Sequence, residues 1–248
     1  MKILVTNDDG INAPGIKALA RAFRALGDVI VVAPDSEKSA SGHALTLQHP
    51  LRIHQVGEGE YATTGTPTDC VLLAVHALLE GKHPDLVVSG VNTGPNMGDD
   101  VTYSGTVSAA FEGTLLGIPS MAISLATFDP VPYDPAADIA LRIAKRFLER
   151  GLPPKTLLNV NVPPGALGSH KGVRLTKLGH RVFTDIIAPR VDPRGKPYYW
   201  VAGTAKWAPE AGTDIEAIQQ GYVSVTPLNM DMTDFKLLAE LEAWGLES

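Results

Sequence analysis

Short runs of consecutive apolar residues alternate along the chain with longer stretches in which apolar residues recur every three or four positions. KILVT at 2–6 and DVIVVA at 28–33 are the first two runs. Runs of this length without polar alternation suit parallel strands covered on both faces. Between them Ile16, Leu19, Ala20, Phe23 and Leu26 keep helical spacing, with Pro14 and Gly15 to open a helix and Gly27 to stop it. The result is a βαβ unit.

The unit recurs. Thr66, Pro67 and Asp69 form a helix start, and Val71, Ala74, Val75 and Leu78 make its apolar stripe up to Gly81, before the strand DLVVS at 85–89. A helix after Ser104 leads to MAISL at 121–125, and Ile139, Ile143 and Phe147 mark another before TLLNVNV at 156–162. The expected class is α/β, a doubly wound, mostly parallel sheet.

The rhythm breaks at about 181–210. Phe183, Tyr198, Tyr199, Trp200 and Trp207 flank the turn-like Asp192, Pro193, Arg194 and Gly195, which predicts a projecting β-hairpin. Two strands so rich in Tyr and Trp need another surface, and a partner subunit is favoured over the chain's own core. Strand character returns at 221–226, and Leu237, Leu238, Leu241 and Trp244 predict a closing amphipathic C-terminal helix.

With 248 residues, 44% of them hydrophobic and 19% charged, the chain has material for one large core, so a single domain over 1–248 is expected. The formal net charge of −6 argues against a grip on a nucleic acid polymer, which needs many basic contacts to phosphates, and leaves room for a small anion at one site. No apolar run is long enough to span a bilayer and no leader pattern is evident, so a cytoplasmic protein without a membrane partner is expected. The lone Cys70 excludes an intrachain disulfide and a cysteine zinc cluster, and reads as a buried helix residue.

In a sheet of this kind ligands bind beyond the carboxyl ends of the strands. Three polar loops belong there: Asn7, Asp8 and Asp9 after the first strand, PDSEKSASGH at 34–43 after the second, and GVNTGPNMGDDVTYSGT at 90–106 after Ser89. Adjacent carboxylates repel unless a cation or a proton relieves them. On the pair alone, a turn with an aspartate helix cap is the simpler account. The other loops shift the balance: oxygens from Asp8, Asp9, a hydroxyl such as Ser39 and an amide such as Asn92 suit one hard divalent cation, magnesium or manganese. Asn96, Ser104, Gly105 and Thr106, the last three at a helix start, suit phosphate. His43 reads as a surface or hydrogen-bonding residue, and Asp99 and Asp100 as loop caps. No P-loop, GxGxxG, HExxH or G-x-S-x-G motif is present.

The stretches ILVTNDDGINAPGI at 3–16, VVAPDSEKSASGHALT at 31–46 and VSGVNTGPNMGDDVTYSGTVSAAFEG at 88–113 strongly resemble the SurE family, the survival protein E 5'-nucleotidases. GTPTDCV at 65–71 and NVNVP at 159–163 extend the resemblance in the same order. It implies a Rossmann-like core, and metal ligands at Asp8, Asp9, Ser39 and Asn92. It also implies a phosphomonoesterase acting on nucleoside 5'-monophosphates, with 3'-nucleotides or short polyphosphate as further substrates of some members. A homodimer or homotetramer built partly from the C-terminal segment at 221–248 is implied as well. Within that reading Asp8 orients or deprotonates the attacking water, Asp9 chiefly holds the cation, and Asn7, Asn96, Ser104, Gly105 and Thr106 hold substrate. An aspartyl-phosphate mechanism lacks its nucleophile, because Asn7 stands two residues before Asp9. The competing reading is a non-catalytic, metal-dependent nucleotide-binding regulator using the same loops.

Overall fold

In the computed structural model, which describes residues 1–184, 187–201, 204–208 and 210–244, the first βαβ unit forms as its pattern requires. β1 (Lys2–Thr6) and β2 (Asp28–Pro34) pair in parallel, and α1 (Pro14–Phe23) packs across them through Ile16, Leu19 and Phe23. α1 ends at Phe23, earlier than Gly27 suggested, and the chain turns back with the Leu26 N–H on the Phe23 carbonyl at 2.9 Å. β3 (Ile53–Gly57) and β4 (Glu60–Thr63) add an edge that no apolar run announces, since His54, Gln55 and Val56 face solvent.

α2 (Pro67–Leu73) begins with the expected capping box: the Thr66 hydroxyl accepts the Asp69 N–H at 3.1 Å and Asp69 Oδ2 accepts the Thr66 N–H at 2.9 Å. β5 (Leu86–Thr93), α3 (Gly105–Leu115), β6 (Ser120–Leu125), α4 (Asp134–Arg150) and β7 (Thr156–Val162) complete the alternating part. β8 (Val173–Leu175) follows, then β9 (Arg181–Thr184), β10 (Ile187–Val191), β11 (Pro197–Val201) and β12 (Thr204–Trp207). α5 (Asp214–Gln219), β13 (Val223–Asn229) and α6 (Phe235–Glu242) close the order.

The main sheet runs β3-β4-β2-β1-β5-β6-β7-β13-β8, parallel from β4 to β7, with β3 antiparallel to β4 and β13 antiparallel to β7. Strand order reverses between β1 and β5, where β1 leads to β2 on one side and pairs with β5 on the other. Ile3 and Val5 enter the apolar cluster under α1 and α4, while Leu4 enters the one with Cys70, Val71 and Val87 on the opposite face. All are shielded from water, each worth about 1.5–3 kcal/mol for its larger side chains. Cys70 is part of this interior, and burial pushes its thiol up to about 12.

Two expectations change. β5 does not stop at Ser89: its register against β6 shifts between Ser89 and Asn92 and the ladder resumes with Asn92 opposite Ser124 and Thr93 opposite Leu125. The polar residues there had suggested a loop, but β6 supplies their pairing. α6 forms where expected yet does not close over the sheet, and Phe235, Leu237, Leu238 and Trp244 remain 44–66% exposed. The hairpin projects as predicted, with Thr184 opposite Thr204 and Ile187 opposite Val201. Asp192 shapes its turn by accepting the Arg194 and Lys196 N–H groups, and Tyr199, Trp200 and Val201 are exposed. Among the described residues no helix is long and apolar enough to cross a membrane.

Candidate active site

The three polar loops leave the carboxyl ends of β1, β2 and β5 and meet beside the β1–β5 reversal, where such sheets bind ligands. Asn7 shapes the first loop. Its Nδ2 donates to the Gly10 carbonyl at 3.0 Å, its Oδ1 accepts the Gly10 N–H at 3.2 Å, and its side chain is wholly buried. The residue therefore braces the turn that presents Asp8 and Asp9, a different use from the substrate contact expected of it.

Asp8 is 5% exposed, and its Oδ1 accepts the Thr106 hydroxyl. Asp9 Oδ2 accepts the Thr93 N–H at 3.1 Å and faces the Thr93 hydroxyl at 3.4 Å. Burial raises the Asp8 pKa to about 6, with the Thr106 hydrogen bond pulling it down and the Asp9 charge pushing it up. Burial raises Asp9 as well, the Thr93 N–H opposing and Glu37 adding to the rise. Among the described residues neither carboxylate has an ion-pair partner within 4.0 Å. Adjacent acids, one buried and one half-buried, without an ion-pair partner among the described residues fit a hard divalent cation.

The second loop is tied to the first where the Lys38 N–H meets the Asp8 carbonyl at 2.8 Å, one residue before Ser39. Ser39 is exposed, and its hydroxyl donates to Glu37 Oε1 at 2.6 Å, which leaves the oxygen's lone pairs for a cation. His43 proves to be the pin of this loop: its Nε2 lies 2.8 Å from Oε2 of Glu112, a carboxylate buried on α3. The third loop brings Asn92, whose Nδ2 donates to the Gly94 carbonyl at 2.8 Å and leaves Oδ1 as the acceptor. Asn96 sits deeper, its N–H on Asn161 Oδ1 at 2.9 Å and its Nδ2 on Ser124 Oγ at 2.8 Å.

α3 starts against Asp8. Ser104 caps it by accepting the Val107 N–H at 3.1 Å, which leaves the amides of Gly105 and Thr106 without helical acceptors. A Cβ on Gly105 would lie 2.8 Å from Asp8 Cβ and 2.8 Å from Ser41 Oγ, so glycine is required for this approach. The helix dipole and the Gly105 amide thus favour negative charge at this point, and the Thr106 N–H already turns to the Asp8 carboxylate.

A cavity of about 590 Å³ opens over this floor. Asp8, Ser39, Asn92, Asn96 and Ser104 line it, while Asp9 and Thr106 adjoin through Thr93 and Asp8. The sequence did not single out Thr93, which orients Asp9, nor Tyr103, Phe128 and Arg181 on the cavity wall. Thr93 was legible in principle as the neighbour of Asn92, whereas nothing local marks Phe128. Asp99 and Asp100 are more than loop caps: Asp100 pairs with the Arg181 guanidinium and Asp99 Oδ2 accepts the Arg181 N–H at 2.9 Å, which fastens the hairpin's base to the site loop.

The family model described as Survival protein SurE matches residues 3–185. The 5'-nucleotidase SurE of Geobacter metallireducens is 54% identical over 246 residues, covering 98% of this chain and 97% of its own. The 5'-nucleotidase SurE 1 of Thermus thermophilus is 53% identical over 248 residues, at 97% and 96% coverage. The crystal structure of the SurE protein from Aquifex aeolicus superposes with a TM-score of 0.89 at 43% identity, over 99% of this chain and 100% of that one. With its loops, fold and length all matched, the chain belongs to the SurE family.

Proposed function

We propose that the protein is a 5'-nucleotidase that hydrolyses nucleoside 5'-monophosphates to nucleoside and phosphate with the help of one divalent cation. The observation that carries the reading is the pair of buried Asp8 and half-buried Asp9, which among the described residues have no ion-pair partner and stand against the start of α3. The names of the relatives support the activity, and their length matches this chain. Asp8, Asp9, Ser39 and Asn92 would hold magnesium or manganese, which when bound neutralises phosphate charge and acidifies water.

The chain's own groups do the rest. The Gly105 and Thr106 amides with the Ser104 hydroxyl hold the phosphoryl oxygens through the developing charge. Asp8 Oδ1 is fixed by Thr106, which leaves Oδ2 to orient the attacking water and take its proton. 3'-Nucleotides and short polyphosphate share the phosphoryl group and are secondary substrates on this reading. The exposed aromatic face of the hairpin and the uncovered α6 support a homodimer or homotetramer.

The test is phosphate release from AMP or GMP with Mn²⁺. Release that stops with chelator and with Asp9→Asn supports the reading. Tight binding of nucleotide and Mn²⁺ without release would instead identify a regulatory binder.

A further inference from the structure

The cavity is larger than a phosphate and a cation need, and part of its lining is of another character. Pro95, Tyr103, Phe128 and Val201 line it alongside the Asp100–Arg181 pair. Phe128 is 79% exposed, an unfavourable state for a benzyl side chain unless something covers it. It follows β6, so it rises from the same sheet edge that carries the catalytic loops.

Its ring is not loose in solvent. A Cβ on Gly94 would lie 2.3 Å from Phe128 Cε1 and 2.7 Å from Cζ, so the ring rests directly on the backbone of the loop that carries Asn92 and Asn96. Gly94 also has φ +96°, and both facts reserve the position for glycine. One side of the ring is thus supported by the loop and the remainder is open. An aromatic plane fixed to the phosphate-handling loop and opening on the same cavity is suited to a flat apolar group at the other end of the substrate.

We propose that Phe128 is the stacking platform for the nucleobase, and so the residue that makes a nucleotide a better substrate than a bare sugar phosphate. The inference rests on the nucleotidase reading above and deepens it by assigning the base its place. Every base has a π-face, so the platform favours nucleotides as a class and separates individual bases weakly.

The experiment compares AMP with ribose 5-phosphate on the wild type and on Phe128→Ala and Phe128→Trp. Loss of one base stack is worth about 5- to 150-fold, so Phe128→Ala should lower kcat/KM for AMP by that factor and leave ribose 5-phosphate unchanged. Phe128→Trp should restore AMP turnover. An equal loss on both substrates, alone or with a fall in oligomer mass by light scattering, would overturn the platform, as would unchanged AMP turnover. A wild type that hydrolyses neither ester overturns the nucleotidase reading itself, an outcome distinct from any of these.

Discussion

Replacing Asp8 by asparagine should stabilise the cation-free protein while removing its activity. The carboxylate is 5% exposed and its pKa rises from 3.8 to about 6, chiefly because burial disfavours the charge. A folded pKa above the unfolded one means that ionised Asp8 opposes folding. The penalty is absent below 3.8, grows as pH rises through that window, and is complete above about 6. A shift of about two units corresponds to about 3 kcal/mol. Asparagine is nearly isosteric and its oxygen still accepts the Thr106 hydroxyl, but its amide NH₂ enters the position of Oδ2 without an assigned acceptor, which costs about 1 kcal/mol. The net gain is about 2 kcal/mol, or about 4–8 °C in melting temperature for a chain of this size. Calorimetry in chelator should show Asp8→Asn melting above wild type at about pH 7.5 and together with it at about pH 4.5. Mn²⁺ at a hundredfold excess over its Kd should then stabilise wild type by about 2.7 kcal/mol and the variant far less. A variant that melts no higher than wild type at neutral pH, or by the same margin at both pH values, would refute the account of Asp8.

Ser104→Ala removes the cap on Val107 and, on the proposed reading, a phosphoryl contact: stability should fall by about 0.5–2 kcal/mol and the inhibition constant for free phosphate should rise, and an unchanged inhibition constant would count against the contact. Thr66→Ala breaks the capping box of α2 and the hydrogen bond to the Ala44 carbonyl, so it should cost about 1 kcal/mol in denaturant titration while kcat at saturating cation is kept; an unaltered midpoint would show that the box contributes nothing. Deleting 184–205 with a short Gly/Ser joint should give a smaller oligomer in light scattering with the sheet still folded by circular dichroism, and retention of the parent mass would sink the hairpin as an assembly element.

The apolar runs located the central strands because a parallel strand covered on both faces can only be written as Val, Ile and Leu. They missed β3 and β4, whose edge position lets His54 and Gln55 face water, and they cut β5 short at Ser89, because Asn92 and Thr93 carry polar side chains inside a ladder. Asp8, Ser39, Asn92, Asn96 and Ser104 were legible because loops after consecutive parallel strands must converge on one edge. What each does there was less legible. Asn7 is consumed by Gly10 and Thr106 gives its hydroxyl to Asp8, because a buried turn must satisfy its own polar atoms before it can serve a ligand. The closing helix failed for a different reason: a hydrophobic stripe predicts that a face will be covered, not by what. In α6 the stripe is present and the sheet does not supply the cover.

TLLNVNV, the run that forms β7, holds two asparagines where a doubly covered strand should hold none. Asn159 and Asn161 are both fully buried, and both donate to the Asn96 carbonyl, at 2.8 and 2.9 Å. Asn161 Oδ1 also accepts the Asn96 N–H at 2.9 Å. Moving Asn96 would orphan these buried groups, at about 1–3 kcal/mol for each unsatisfied partner. The third loop is therefore fixed at its deepest point by the sheet itself. Ser39 stands on the opposite terms: it is exposed, in a segment without regular structure, and among the described residues its hydroxyl is engaged only by the nearby Glu37. Displacing the cavity lining therefore costs less on the Ser39 side than on the Asn96 side. His43 limits that displacement, since its bond to the buried Glu112 holds the loop's far end to α3.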